Sequence, residues 1–199
     1  GHNETIFRLT HARFVDLLAD HGDEATIEAR LAETEQRNLR LYGYGIKGFT
    51  LSMIETAMEL TNGAAPPHVV REILAAGREM LAHPVETLPG VDAVVAELSE
   101  KYRLLLITKG DLLDQERKLA ASGLGDLFSA VEIVSEKDRA TYERVFTRHG
   151  TGPAEAVMAG NSMKSDVLPA IAAGAFGVHI PYAVTWACLL YTSDAADDT

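Results

Sequence analysis

Three short clusters hold the residue types that phosphoryl chemistry needs. Thr108-Lys109-Gly110-Asp111 closes an unbroken apolar run, Leu104-Leu105-Leu106-Ile107. Lys137 follows the apolar stretch 131–134 and stands near the start of a segment bearing Tyr142 and Phe146. Gly160-Asn161-Ser162-Met163-Lys164-Ser165-Asp166 joins another apolar run to a helical one. Together they offer a hydroxyl with backbone N–H groups, a positive charge, and an amide and carboxylate able to ligate a hard cation. A phosphoryl group with Mg²⁺ calls for that set: donors for its equatorial oxygens, a cation for developing charge, and oxygen ligands for the metal.

Such groups work only if the backbone gathers them. A short apolar run with no polar alternation reads as a strand buried on both faces, which implies a parallel sheet covered by helices. From Leu88 onward the pattern alternates. A helix carries Val91, Val94, Val95 and Leu98, and a strand follows at 103–107. Leu112 to Ala121 is helical, 131–134 a strand, Arg139 to His149 a helix, and 156–159 a strand. Val167 to Ala173 is helical and Phe176 to Ile180 a last strand. This βαβαβαβ order predicts right-handed crossovers and a parallel sheet. Ligands of open parallel sheets bind beyond the carboxyl ends of the strands, where all three clusters fall.

Residues 1 to about 83 read as helical throughout. Phe7, Thr10, Phe14, Leu17 and Leu18 recur at the helical period, and His21-Gly22 stops the run. Asp23 is placed to cap a second helix with Ile27 and Leu31 inward. Phe49, Met53, Ala57 and Leu60 form a third stripe closed by Asn62-Gly63. Pro66-Pro67 opens a fourth, with Val70, Ile73, Leu74, Gly77 and Leu81 inward. Gly43-Tyr44-Gly45-Ile46-Lys47-Gly48 fits the dinucleotide pattern on paper but follows no strand. Its expected role is to bend the lobe's backbone and present Tyr42, Tyr44 or Lys47.

The 199 residues carry a net charge of −11, which argues against a nucleic-acid surface or an anionic membrane as partner. A small anionic substrate stays open, because a pocket can be locally positive. One cysteine, Cys188, rules out a disulfide framework and a thiolate metal cluster, and fits a reducing cytoplasm. Leu190 to Asp198 resembles a translated adapter, and the stretch 188–199 is expected to be a non-native acidic tail. Oligomeric state is not fixed by the sequence.

With these residues in place, the ordered set resembles the haloacid dehalogenase-like (HAD) hydrolases. Their second motif is an apolar strand ending in Ser or Thr, matched by Leu104–Thr108. The third is a Lys several residues before an aromatic on the next helix, matched by Lys137 with Tyr142. The fourth is an acidic strand-end sequence, of which Gly160-Asn161-Ser162 followed by Asp166 is a variant. The likeness runs from about residue 2 to 186. It implies a Rossmann-like α/β core over 84–187 with a substrate-selecting helical cap over 1–83. It also implies Mg²⁺ as cofactor and a small phosphorylated metabolite as substrate.

By resemblance, Thr108 would hold a phosphoryl oxygen, with Lys109 and Gly110 beside it in the substrate site. Lys137 would neutralise charge, while Asp166 with Asn161 would hold the metal shell. Asn161 stands where many members have Asp, and an amide ligates Mg²⁺ less strongly than a carboxylate. The first motif, a strand ending in Asp-x-Asp-x-Thr whose first Asp attacks phosphorus to form an aspartyl-phosphate, does not occur here. The chain is therefore expected to lack the central strand, to show a gap between the strands ending near Thr108 and Gly160 or to bring them together, and to be non-productive alone. Two alternatives stay open: a non-catalytic module that binds phosphate or a partner, and a carbon–halogen hydrolase of the same fold. Asp111 and Asp138 also read as plain helix caps, Lys164 as a surface residue, and His11, His68, His149 and His179 as ordinary residues without metal-ligand spacing.

Overall fold

The structure, a computed structural model, describes residues 2–181; Cys188 and the acidic tail expected at 188–199 lie outside them. Residues up to Pro84 form one compact unit and those from Val85 another.

The first unit is all helix: α1 (His2–Leu17), α2 (Glu24–Tyr42), α3 (Ile46–Leu60) and α4 (Pro67–Ala82). Asp23 caps α2, its carboxylate accepting from Thr26 N at 2.8 Å, as its position predicts. Asn62 and Gly63 end α3 in the left-handed region, and Pro67 opens α4. Phe14, Leu18, Ile27, Leu31, Phe49, Met53, Val69, Ile73 and Met80 make the core. The inward face of α4 is Val69, Ile73, Ala76, Gly77 and Met80, with Leu81 packed at its edge as expected, whereas Val70 and Leu74 lie off the core. Two adjacent i,i+4 rows compete there. The row containing Gly77 wins at close range, since a Cβ on Gly77 would lie 2.5 Å from Thr50 Oγ1. No helix among the described residues is long and apolar enough to cross a membrane.

The second unit is mixed α/β: α5 (Val91–Ser99), β1 (Leu105–Lys109), α6 (Leu112–Ser122), β2 (Ala130–Val134), α7 (Arg139–His149), β3 (Val157–Gly160), α8 (Leu168–Ala172) and β4 (Phe176–His179). Every strand pairing is parallel, as the alternating order requires. The ladder is split, however, with β1 on β2 and β3 on β4. Among the described residues no strand joins β1 to β3, so the break falls between the strands ending near Thr108 and Gly160. Residues 2–17, the first of the described chain, are helical and contribute no strand.

Two expectations are corrected here. The first strand runs two residues further than 103–107, so Thr108 and Lys109 lie in the ladder opposite Ile133 and Val134. It stops at Gly110, whose φ of 143° side-chain-bearing residues rarely adopt. Nor is β1 buried on both faces, for only Ile107 is buried and its neighbours are half-covered. A two-stranded ribbon offers too little surface to enclose itself, and α5 buries none of its residues. The core instead gathers around α7, with Ile107, Val134, Tyr142, Val145, Phe146, Ala170 and Ala175.

Candidate active site at the strand ends

Lys137 sits one residue before the cap of α7. Asp138 accepts from Thr141 N at 2.8 Å, which fixes where the helix starts and how Lys137 leaves β2. The cap role of Asp138 is thus compatible, within one turn, with the site role expected of Lys137. From there Lys137 Nζ reaches Asp166 Oδ1 at 2.8 Å across 29 residues of sequence. Asp166 keeps 5% of its side chain exposed and Lys137 13%, so the pair is largely removed from water.

Asp166 is aimed by its own backbone. Ser162 caps the wide π-helical turn Met163–Val167 that precedes α8, accepting from Ser165 N at 3.1 Å. Ser162 N then donates to Asp166 Oδ2 at 3.0 Å. Such widened turns are frequent where a side chain must be presented out of helical phase. Gly160, the last residue of β3, makes the approach possible: a Cβ there would fall 2.4 Å from Asp166 Oδ2. Tyr142 closes the arrangement from α7, its hydroxyl donating to Ser165 O at 2.9 Å. The Tyr142 phenol is held far above the usual tyrosine range by burial, with the nearby Asp166 charge adding to it. It is therefore a fixed donor to the backbone and not a proton-transfer group near neutral pH.

The Thr108 hydroxyl is turned towards α6, donating to Gln115 Oε1 at 2.9 Å. Gln115 also packs over Gly110, where a Cβ would lie 2.8 Å from its Nε2. Lys109 reaches Glu136 at 3.4 Å, linking the end of β1 to the residue before Lys137. Asp111 is the cap of α6, accepting from Asp114 N at 3.1 Å. The Asn161 side chain is exposed, while its carbonyl lies 3.1 Å from His179 Nε2.

Of the predicted residues, then, Lys137 and Asp166 meet directly. Thr108 and Lys109 lie on the neighbouring strand end, and Asn161 lies at the turn that carries Asp166. Gln115, Glu136 and Ser162 escaped the sequence reading as partners. Only the glycines at 110 and 160 hinted that a side chain must pass close by.

Oxygen donors suit Mg²⁺, and each Asp166 oxygen carries one hydrogen bond and so keeps acceptor capacity. Among the described residues no three His, Cys, Asp or Glu side chains cluster to hold a metal. Mg²⁺ commonly takes one or two carboxylates and completes its shell with water and substrate phosphate, so Asp166 with Asn161 fits as a partial ligand set.

Residues 4–174 match the family model of haloacid dehalogenase-like hydrolases. Human N-acylneuraminate-9-phosphatase is 26% identical over 125 residues, which are 60% of this chain and 50% of that protein. The chain thus spans about half the length of that curated relative. Among solved structures, a haloacid dehalogenase-like family hydrolase from Xanthomonas campestris is 45% identical with a TM-score of 0.82, covering 92% of this chain and 77% of that one. A HAD-hydrolase from Bacillus subtilis bound to magnesium gives 16% and 0.56, over 87% and 80% of the two chains. A 2-haloacid dehalogenase from Pseudomonas syringae gives 18% and 0.55, over 85% and 76%. At those identities the likeness of the last two is one of fold.

Proposed function

The chain belongs to the haloacid dehalogenase-like hydrolases, and from that premise we propose that its site serves Mg²⁺-dependent hydrolysis of a small phosphate monoester. The observation that carries this reading is the Lys137–Asp166 pair at 2.8 Å, an ammonium and a carboxylate held together at the strand ends. Carbon–halogen cleavage would not call for a metal ligand set beside the cation. The phosphatase named among the relatives supports the phosphate reading over that alternative.

The roles follow from the donors. Thr108, released from Gln115, gives a hydroxyl to a phosphoryl oxygen, and Lys109 and Gly110 line the same strand end. Lys137 neutralises the charge that builds on the equatorial oxygens, while Asp166 keeps the ammonium in position. Mg²⁺, held by Asp166 with Asn161, supplies further neutralisation of the phosphoryl oxygens when bound. The attacking carboxylate of the Asp-x-Asp-x-Thr motif has no counterpart in these 199 residues. We therefore assign to this chain the holding of the phosphoryl group and not the covalent step.

Titration with inorganic phosphate or orthovanadate in the presence of Mg²⁺ tests the reading. Saturable binding that is lost in Lys137→Ala, without p-nitrophenyl phosphate turnover, is expected. Turnover by the 199-residue chain that Lys137→Ala abolishes would overturn the non-covalent assignment, and absence of phosphate binding would overturn the site.

A further inference from the structure

The helical unit contains a second polar site, remote in sequence from the strand ends. α2 and α3 are joined by the glycine turn Gly43–Gly48, and beneath the turn lies a small pocket, partly open to solvent, with room for about one water-sized group. Gly43, Gly45 and Gly48 line it together with Glu35, Asn38 and Ser52. It is smaller than the pockets that ordinarily take drug-sized ligands, which removes the dinucleotide meaning of the glycine pattern.

Its polar groups are unusual in their balance. Asn38 is 2% exposed and spends both amide hydrogens, on Ser52 Oγ at 3.2 Å and on Glu55 Oε2 at 2.9 Å. Turning the amide over would set its oxygen against the Glu55 carboxylate, so the orientation is fixed. Asn38 Oδ1 is then left buried with no hydrogen-bond partner in the structure. Ser52 cannot serve it, because its hydroxyl donates to Gly48 O at 2.9 Å. Glu35, 8% exposed, has its carboxyl pushed up to about 7, with burial as the sole cause. The nearby cation Arg37 is committed to Glu55 and Glu59 on the exposed side.

A buried acceptor without a donor costs about 1–3 kcal/mol, and a buried carboxyl without a counter-charge resists ionising. One occupant removes both penalties: a compact positive group bearing N–H donors. We propose that this pocket binds a small ammonium-type cation, an ammonium ion or the head of a primary amine, held by the Glu35 carboxylate and the Asn38 side-chain carbonyl.

Thermal unfolding of the full chain at pH 7.5, in ammonium, methylammonium, potassium and tetramethylammonium chloride at equal ionic strength, tests it. The midpoint is expected to rise by about 3 °C or more in the first two salts relative to the last. Glu35→Gln should lose most of that rise. Should the variant fail to fold, the carboxyl ¹³C resonance of wild-type Glu35, followed from about pH 5 to 8, gives the answer, its titration midpoint falling as ammonium is added. Equal midpoints in all four salts, a rise with potassium alone, a rise that survives Glu35→Gln, or a Glu35 resonance indifferent to ammonium would overturn the proposal. Equal midpoints or an indifferent resonance would leave Glu35 beside ordinary water, a rise with potassium alone would mean a site for a bare metal cation, and a rise surviving Glu35→Gln would place the ammonium elsewhere. The strand-end site takes no part in the measurement.

Discussion

Gly160 and Asp166 are packed so closely that a Cβ on the glycine would stand 2.4 Å from one carboxylate oxygen and 2.6 Å from the carboxyl carbon. The glycine is required by this contact and not by its backbone, which is a plain strand end. Gly160→Ala must therefore push Asp166 off Lys137. Over-packing of this kind costs about 1–3 kcal/mol, read as a lower urea midpoint at unchanged slope. Phosphate affinity should fall with it, while Gly125→Ala, whose Cβ would meet only Leu119 at an ordinary 3.8 Å, should leave phosphate binding intact.

The Lys137–Asp166 pair should be strongly coupled. Removing the ammonium alone, in Lys137→Met, leaves a carboxylate with 5% exposure and no counter-charge. The expected loss is about 3 kcal/mol, moderated by the backbone donor that Asp166 retains from Ser162. Lys137→Met with Asp166→Asn should recover much of that stability yet bind no phosphate. Urea unfolding of the four members of the cycle measures the coupling, and additive losses would mean the two groups do not interact.

Thr108 combines two tasks that substitution separates. Thr108→Val deletes the hydroxyl bonded to Gln115 and should cost about 1 kcal/mol of stability along with phosphate affinity. Thr108→Ser keeps the hydroxyl and should retain affinity. Gln115→Ala frees the hydroxyl, so phosphate should bind at least as well as in the wild type. Weaker binding in Gln115→Ala would mean that the Gln115 contact is needed to aim Thr108, contrary to the release assigned to it.

How much of this was legible beforehand depended on whether the cause was local. Asp23, Asp111 and Asp138 announced their helices because a cap acts within three residues. Lys137 and Asp166 were found by type and strand-end position. Their direct contact depends on a widened turn and on Gly160, neither of which has a periodic signature. The two-residue shift of β1 shows the same limit, because Gly110 stops the strand through its backbone while the apolar run has already ended at Ile107. Glu35 was invisible. Its helix reads as polar towards Arg40, and only the small inner face of α3, with Gly48, Ser52 and Thr56, lets a glutamate be enclosed. The hydroxyls of Thr34 and Thr56 are likewise buried without partners, so polar burial is a property of this whole helix pair.

Glu35 should also make stability depend on pH, measured in tetramethylammonium salt so that no small ammonium occupies the pocket. Its folded value of about 7 lies above the ordinary 4.5, so the folded state holds the proton more tightly than the unfolded chain does. Below pH 4.5 both states are protonated and the group is neutral in its effect. As pH rises towards 7 the unfolded chain ionises first, and folding loses on the order of 3 kcal/mol before levelling off above 7. Glu35→Gln removes that loss. The variant should match the wild type near pH 4 and exceed it at pH 8, with the difference opening between pH 4.5 and 7. A constant difference across that range would place its cause in packing, and a wild-type stability that rises from pH 5 to 7 faster than the variant's would mean that Glu35 is ionised and paired in the folded state.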